Sequence, residues 1–235
     1  NIRMIMDNQA KQQWPGPAGL IPVTSGKAED ANIHNRNFLD HILVEMRVID
    51  ATEPDLTTEI FGQKFSSPIM MSAFSHLNKI KNKDVKPMEE YAMAAKEENL
   101  LNWVGMENDD DFGNILAVNS KTVRIIKPFA DHDIILHQIA FAEQHGAIAV
   151  GIDIDHIAGT NGKYDVVDGY SMGPITLKDL KTIVEKTHLP FVAKGVLSVS
   201  DALKACEAGC KAIVVSHHHG RIPFGIPPAY ALPKI

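Results

Sequence analysis

The chain has 235 residues, of which 45% are hydrophobic and 22% charged, with a net charge of −6. That is ample length for one full core, and it offers no electrostatic footprint for nucleic acid or an anionic membrane. No apolar run approaches the ~20 residues needed to span a bilayer, and the start lacks the apolar block and cleavage site of a signal peptide, so a soluble cytoplasmic protein is expected.

Residues 1–25 hold three prolines and no apolar period, which predicts an irregular arm. Residues 26–50 read as a helix capped by Asp30 or Asn32, with Phe38, Ile42 and Met46 on one face. Alternation over Asp55–Phe65, with Gly62 at a turn, predicts a hairpin across one end of a barrel. Residues 1–54 thus form an arm and helix, and 55–235 a barrel-like remainder.

From Pro68 the pattern becomes rhythmic. Pro68–Phe74 reads as a buried strand, followed by a lysine-rich loop and a helix over Met88–Glu98. Leu100–Gly105 is the second strand, and Asp109–Asp111 suit a helix N-terminus better than a metal. Val123–Phe129 is the third strand, and the helix over 132–144 stops at Gly146. Ala147–Asp155 is apolar on both faces, as a parallel strand covered by helices should be. A glycine-containing loop leads to Thr176-Leu-Lys-Asp179, a capping box for a helix that buries Leu177, Leu180, Ile183 and Val184. Pro190–Val196 is strand five, Ser198 to Asp201 caps helix five, and Ala212–His217 is strand six; a further helix starts near the end. Cys206 and Cys210 flank the helix stop at Gly209 and read as small buried residues in a reducing compartment. A zinc site needs more thiols, although His217–His219 could contribute ligands.

Six β/α units in steady alternation fit either an open doubly wound sheet or a (β/α)8 barrel. No G-x-G-x-x-G follows the first strand, which argues against a dinucleotide fold. The fold class is therefore α/β of the (β/α)8 TIM-barrel type, with about six of its units present.

Polar groups interrupt the apolar strands only near their ends: Lys127, Asp153 with Asp155, Lys194, and Ser216 through Arg221. If they share one mouth, a histidine base oriented by a carboxylate, an arginine fork for a substrate carboxylate and a lysine converge there. Each also has a plainer reading: Lys127 by itself suits a solvated strand end, and Lys194 suits burial beside a ligand or a Schiff-base nucleophile. Three consecutive histidines on an extended backbone point to opposite faces, so at most two line the mouth.

Leu189–Arg221, LPFVAKGVLSVSDALKACEAGCKAIVVSHHHGR, resembles without a gap the matching stretch of the FMN-dependent α-hydroxy acid oxidases and dehydrogenases, the family of lactate oxidase and glycolate oxidase. The family pattern there is a K-G strand end followed by S/T-N-H-G-G-R. SGKAED…N (25–37) resembles the family's S-G-A-x-D-E…N segment with Lys27 inserted, DLTTEIFGQKFSSPIMMSA (55–73) its hairpin and first strand, and AIAVGID (147–153) the strand that ends in the family aspartate. The resemblance covers residues 18–235.

It implies a (β/α)8 barrel with FMN at the carboxyl ends of the strands, a small-molecule 2-hydroxy acid such as lactate as substrate, and a homo-tetramer. His218 falls on the base, Asp153 on its carboxylate partner and Arg221 on the arginine that binds the substrate carboxylate. Lys194 falls on the lysine beside the flavin N1–C2 edge; Ala73, Phe74, Ser75, Gly105, Lys127, Gly151 and Ser216 take the other cofactor-facing positions. No metal is implied. Departures are visible: Gly151 stands for a threonine, His217 for an asparagine, and His219 for a glycine. The two substrate-binding tyrosines have no counterpart, nor do the strand seven and eight residues that hold the FMN phosphate. These departures keep open a non-catalytic relative of the family, and Lys194 keeps open a Schiff-base lyase. Six units also predict that strands one and six are exposed edges.

Overall fold

The computed structural model describes residues 27–75, 77, 86–159 and 162–235; the arm expected over 1–25 lies outside them. Helix α1 (Ala31–Asp40) starts at Asp30, whose side chain accepts from the Asn32 N–H. It ends at Asp40 instead of continuing through 46. Beyond His41 come Ile42, Leu43 and Val44, three apolar residues in a row that leave a helix no polar outer face. Residues 42–49 instead run without regular structure, and Leu43, Val44 and Ile49 are exposed.

Strands β1 (Thr58–Ile60) and β2 (Gln63–Phe65) form the expected hairpin. Its two-residue turn, Phe61 (φ 51°) and Gly62 (φ 71°), is left-handed at both positions, matching the twist of paired strands. Lys121 Nζ donates to Lys64 O at 2.7 Å and Ser66 N to Asn99 O at 3.1 Å, so the hairpin sits at the amino ends of the parallel strands.

Five parallel strands follow, each separated by at least one helix: β3 (Asn102–Val104), β4 (Thr122–Ile126), β5 (Ala149–Asp153), β8 (Phe191–Val196) and β9 (Ala212–Val215), hydrogen-bonded in that order. The segment expected as a buried first strand, 68–74, joins β3 only through parallel bridges at Met70–Leu101 and Phe74–Val104. Ile69 and Phe74 are exposed, and among the described residues this segment pairs on one side only, as the edge expected of strand one. The intervening helices are α2 (Pro87–Glu97), α3 (Asp109–Ala117), α4 (His132–Gln144), α5 (Leu177–Val184) and α6 (Val199–Glu207); α7 (Pro228–Ala231) and a 3-10 turn (Leu232–Lys234) end the chain. A two-strand ribbon, β6 (Val166–Val167) and β7 (Tyr170–Ser171), lies in the loop after β5 and has no periodic signal in the sequence. No helix among the described residues is long and apolar enough to cross a membrane.

Alternation along the strands sorts the core into two layers. Val104, Ile126, Val150, Ile152 and Phe191 pack outward against Phe112, Ile115, Ile135, Ile139, Leu180 and Ile183 of the helices. Leu101, Trp103, Val123, Ile125, Ala149 and Val192 point the other way, onto Phe65 of the hairpin. Arg124 is an outward-facing exception, fully buried against the Phe112 ring and bonded to Glu107 O, Gln138 O and Asp109. The cap of α3 is Asn108, whose side chain accepts from Asp111 N, and not the acidic run expected there; Asp109–Asp111 fill the first turn, and Asp109 pairs with Arg124.

The helix ends follow their caps. Thr176 Oγ1 accepts from Asp179 N at 3.1 Å, Ser198 Oγ from Asp201 N at 3.0 Å, and Gly146 (φ 88°) and Gly209 (φ 93°) follow α4 and α6 in left-handed conformations. Cys206 is exposed and only Cys210 is partly buried, because Cys206 falls on the outer face of α6. Substituting Thr176 by alanine should lower stability by about 1 kcal/mol through loss of the cap; urea unfolding should show a reduced midpoint at an unchanged slope.

Candidate active site

The inward-facing residues at the carboxyl ends of the strands are fixed by the same alternation that builds the core. Val123 and Ile125 point inward, hence Lys127 does; Ala149 and Gly151 precede Asp153, and Val192 precedes Lys194. Strand register then sets these three in one layer, since Asp153 is the direct partner of Lys194 and Ile126 is the partner of Ile152. Asp153 accepts from Lys127 Nζ at one oxygen and Lys194 Nζ at the other, both at 2.6 Å. All three side chains are nearly buried, with 3% of Asp153 exposed. Burial pushes the Asp153 carboxyl upward, but the charges of Lys127, Lys194 and His218 outweigh it and hold the group at about 2. Burial presses Lys127 below its ordinary value against the pull of Asp153.

One layer down, Gly151 occupies a position where a Cβ would run into the Val192 carbonyl and meet Ile125 Cδ1 at 3.0 Å. The residue that departs from the family threonine therefore lets β5 and β8 approach closely. Gly105 does the same at the other edge: its N–H donates to Phe74 O at 2.7 Å, and a Cβ there would meet Phe74 O at 3.0 Å and Ala73 O at 3.1 Å. Ala73, Phe74 and Ser75 thus follow the rim formed by the strand ends.

His218 and its carboxylate partner are set by a bulge. Pairing shifts between Lys194 and Val196, where Gly195 takes φ 97°. A Cβ at Gly195 would collide with the Asp155 carboxylate, so glycine makes room for that buried side chain. His218 Nδ1 lies 2.9 Å from Asp155 Oδ1 and 3.7 Å from Asp153 Oδ1. The nearer carboxylate is Asp155; Asp153, expected as the partner, is held mainly by the two lysines. With a carboxylate at Nδ1, that nitrogen carries the proton and Nε2 keeps a lone pair.

The three histidines are not on an extended backbone. His218 (φ 49°) and His219 (φ 57°) are left-handed, which makes residues 217–220 a tight turn. Ser216 Oγ accepts from His218 N at 2.8 Å, and the buried His217 accepts from Gly220 N at Nδ1, also at 2.8 Å. The asparagine-to-histidine departure thus supplies a turn-holding acceptor. Helix α1 supports the turn from behind, with Asn32 Nδ2 donating to His219 O at 3.3 Å.

Arg221 leaves this turn toward the loop after β5. Its Nη2 donates to Ala158 O at 2.9 Å and to Asp165 Oδ2 at 2.6 Å. The same Asp165 oxygen lies 2.8 Å from His156 Nε2, and the His156 ring stands edge-on to His218 with centroids 5.4 Å apart. Burial and the charges of Lys127 and Arg221 drive His156 down to about 4, so its ring is neutral at pH 7. Burial raises the Asp165 carboxyl, but the bonds from Arg221 and His156 more than reverse this and leave it below the usual range. Buried polar atoms without a partner concentrate here: Asp155 Oδ2, His156 Nδ1, Arg221 Nε and His217 Nε2. Asp153, His156 and His218 have the spacing of a metal-ligand group. Both Asp153 oxygens already accept from ammonium groups, so lysines supply the positive charge that an ion would bring.

Asp153, Lys127, Lys194, His218 and Arg221 are therefore brought together, while Ala73–Ser75 and Gly105 lie along the adjacent rim. His156 and Asp165 were missed, and Asp155 was not given its role. His156 and Asp165 sit in a loop without periodicity, and the one signal for them is that this loop leaves a carboxyl strand end. Asp155, two residues beyond Asp153, could have been assigned from the spacing.

Residues 10–175 and 161–235 match the family model for FMN-dependent dehydrogenase. The chain belongs to that family. Relatives include the peroxisomal (S)-2-hydroxyacid oxidase of Arabidopsis thaliana, 26% identical over 84% of this chain and 63% of the relative. The glycolate oxidase of Spinacia oleracea is 25% identical over 90% of this chain and 66% of its own length. A solved structure of mandelate oxidase superimposes with a TM-score of 0.79 at 22% identity, covering 99% of this chain and 72% of that one. The likeness shows the fold, a (β/α) barrel, of which the described residues supply five parallel strands and the bridged segment 68–74. The chain spans 63% and 66% of the first two curated relatives.

Two outcomes follow. His156 titrates near 4 folded and near its ordinary 6.5 unfolded, so the unfolded chain binds the extra proton between those values. Its contribution to stability is complete above pH 6.5 and is lost as pH falls toward 4; His156→Gln should flatten the decline of Tm across that window, read by circular dichroism. Gly195→Ala must strain a left-handed backbone and displace Asp155. It should cost about 1–3 kcal/mol in urea unfolding.

Proposed function

We propose that the cluster oxidises a small 2-hydroxy acid of the lactate, glycolate or mandelate type to the 2-oxo acid, with FMN as cofactor. The observation that carries this reading is the convergence of His218, backed by Asp155 and Asp153, with Lys194 and Arg221 on one rim. The partnerless buried atoms Asp155 Oδ2, His156 Nδ1 and Arg221 Nε fit a site that receives a polar ligand. For the cofactor, Lys127 and Lys194 provide positive charge at the rim, and Ala73, Phe74, Ser75, Gly105, Gly151 and Ser216 provide close backbone and small side chains. This set suits the flavin ring. The phosphate-binding positions, which the resemblance assigns to strands seven and eight, are not among the described residues.

FMN, when bound, supplies the acceptor for the hydride that leaves the substrate α-carbon. His218 Nε2 takes the hydroxyl proton, and the imidazolium so formed is stabilised by Asp155 at Nδ1 and by Asp153 behind it. Arg221 holds the substrate carboxylate and so turns the α-carbon to the cofactor side. Lys194, in its 2.6 Å pair with Asp153, presents an ammonium. That suits charge stabilisation at the rim, and it does not suit a Schiff-base nucleophile, which needs a free amine.

A second reading, a non-catalytic member of the family, is favoured by the mutual pairing of the site's charges: Asp153 with two lysines and Arg221 with Asp165. The readings separate in one experiment. Protein titrated with FMN should take up the flavin and be bleached anaerobically by glycolate, lactate or mandelate. His218→Asn should retain the flavin spectrum and slow bleaching by about 10²–10⁴-fold, the usual range for a general base. Flavin uptake without bleaching by any of the acids would establish the second reading.

A further inference from the structure

Arg221 offers five N–H donors in a rigid fork, and each edge that can hold a carboxylate through two parallel bonds includes Nη2. Both hydrogens of Nη2 are already taken, one by Ala158 O at 2.9 Å and one by Asp165 Oδ2 at 2.6 Å. A substrate carboxylate therefore cannot bind Arg221 through two bonds while Asp165 stays in place. The oxygen that blocks it also accepts from His156 Nε2 at 2.8 Å, and the other Asp165 oxygen accepts only locally, from Val166 N at 2.9 Å. Asp165 thus presents one carboxylate oxygen to a guanidinium and an imidazole that come from opposite ends of the site: Arg221 from the turn after β9, His156 from just beyond β5.

We propose that Asp165 is an internal stand-in for the substrate carboxylate. Arg221 and His156 form the carboxylate cradle, and a 2-hydroxy acid enters it by displacing Asp165. This rests on the reading of the site as one for a carboxylate substrate. It gives His156 a place as a specificity-determining donor, in a chain that lacks the family's two substrate-binding tyrosines. Charge agrees with it. Lys127, Lys194 and Arg221 are balanced by Asp153, Asp155 and Asp165, so moving Asp165 away leaves three cations facing two carboxylates, and an anion restores the balance. Asp165 also belongs to a surface loop and not to the core, being bracketed by the Ala158–Tyr164 bridge and the short β6–β7 ribbon.

An internal competitor lowers the apparent affinity by the fraction of molecules in which it occupies the cradle. Calorimetric titration of pyruvate and of its uncharged amide, pyruvamide, into the full chain, with and without FMN, reads this directly. Asp165→Asn and Asp165→Ser should each bind pyruvate about 10-fold or more tightly than the parent, with pyruvamide affinity unchanged. Adding His156→Phe to Asp165→Asn should remove most of the gain. Two substitutions of different size guard against one failing to fold, and thermal melts check both. Unchanged or weaker pyruvate binding in both variants, no detectable pyruvate binding in any of the proteins, or an equal gain for pyruvamide overturns the proposal. Because the titration reads binding and not turnover, a protein that bleaches with no hydroxy acid yet shows the charge-selective gain would refute the activity alone.

Discussion

The structure around the rim depends on one buried carboxylate. Asp153 has two ammonium groups at 2.6 Å and almost no contact with water. Desolvating three charges is costly, and removing one partner from such a set typically costs about 3–5 kcal/mol because it strands the others. The arrangement also fixes position. It binds the ends of β4, β5 and β8 to one another at the carboxyl rim, with His218 Nδ1 3.7 Å from the same carboxylate. A half-satisfied version of this cluster is worse than none, so Lys127 is as much a part of the site as the histidine. Read by itself, Lys127 looked like a solvated strand end.

The second constraint is steric. The Gly195 bulge shifts the β8–β9 register and opens the space that Asp155 fills; Asp155 then reaches the His218 imidazole. A backbone irregularity is thereby converted into the orientation of an imidazole. The loop after β5 adds a second imidazole–carboxylate pair, His156 with Asp165, turned toward Arg221. The cluster is consequently balanced in charge without a ligand, which is why both the catalytic and the non-catalytic readings draw on the same contacts.

Much of the barrel was legible in the sequence. The β/α rhythm, the Thr176 and Ser198 caps, the stops at Gly146 and Gly209 and the Phe61–Gly62 turn are local, and local chemistry decides them. The failures had local causes in two places and a distant one in the third. Helix α1 stops at Asp40, before three consecutive apolar residues, although the Phe38–Ile42–Met46 spacing continues. Among the described residues, 68–74 pairs on one side only, with β3, and Ile69 and Phe74 are exposed. The histidine run was taken as extended, whereas Ser216 and His217 fold it into a left-handed turn.

The sequence by itself determined which residues stand at the strand ends, because alternation with a period of two puts Lys127, Asp153 and Lys194 on the face shared with Val123, Ala149 and Val192. The motif around Lys194 and His218–Arg221 determined the family. Only the tertiary structure decided who partners whom. Register across β4, β5 and β8 gave Asp153 to the lysines, the Gly195 bulge gave His218 to Asp155, and loop packing gave Arg221 to Asp165. Those assignments depend on distances between residues from about 26 to 63 positions apart in the chain, and no local pattern encodes a distance of that kind.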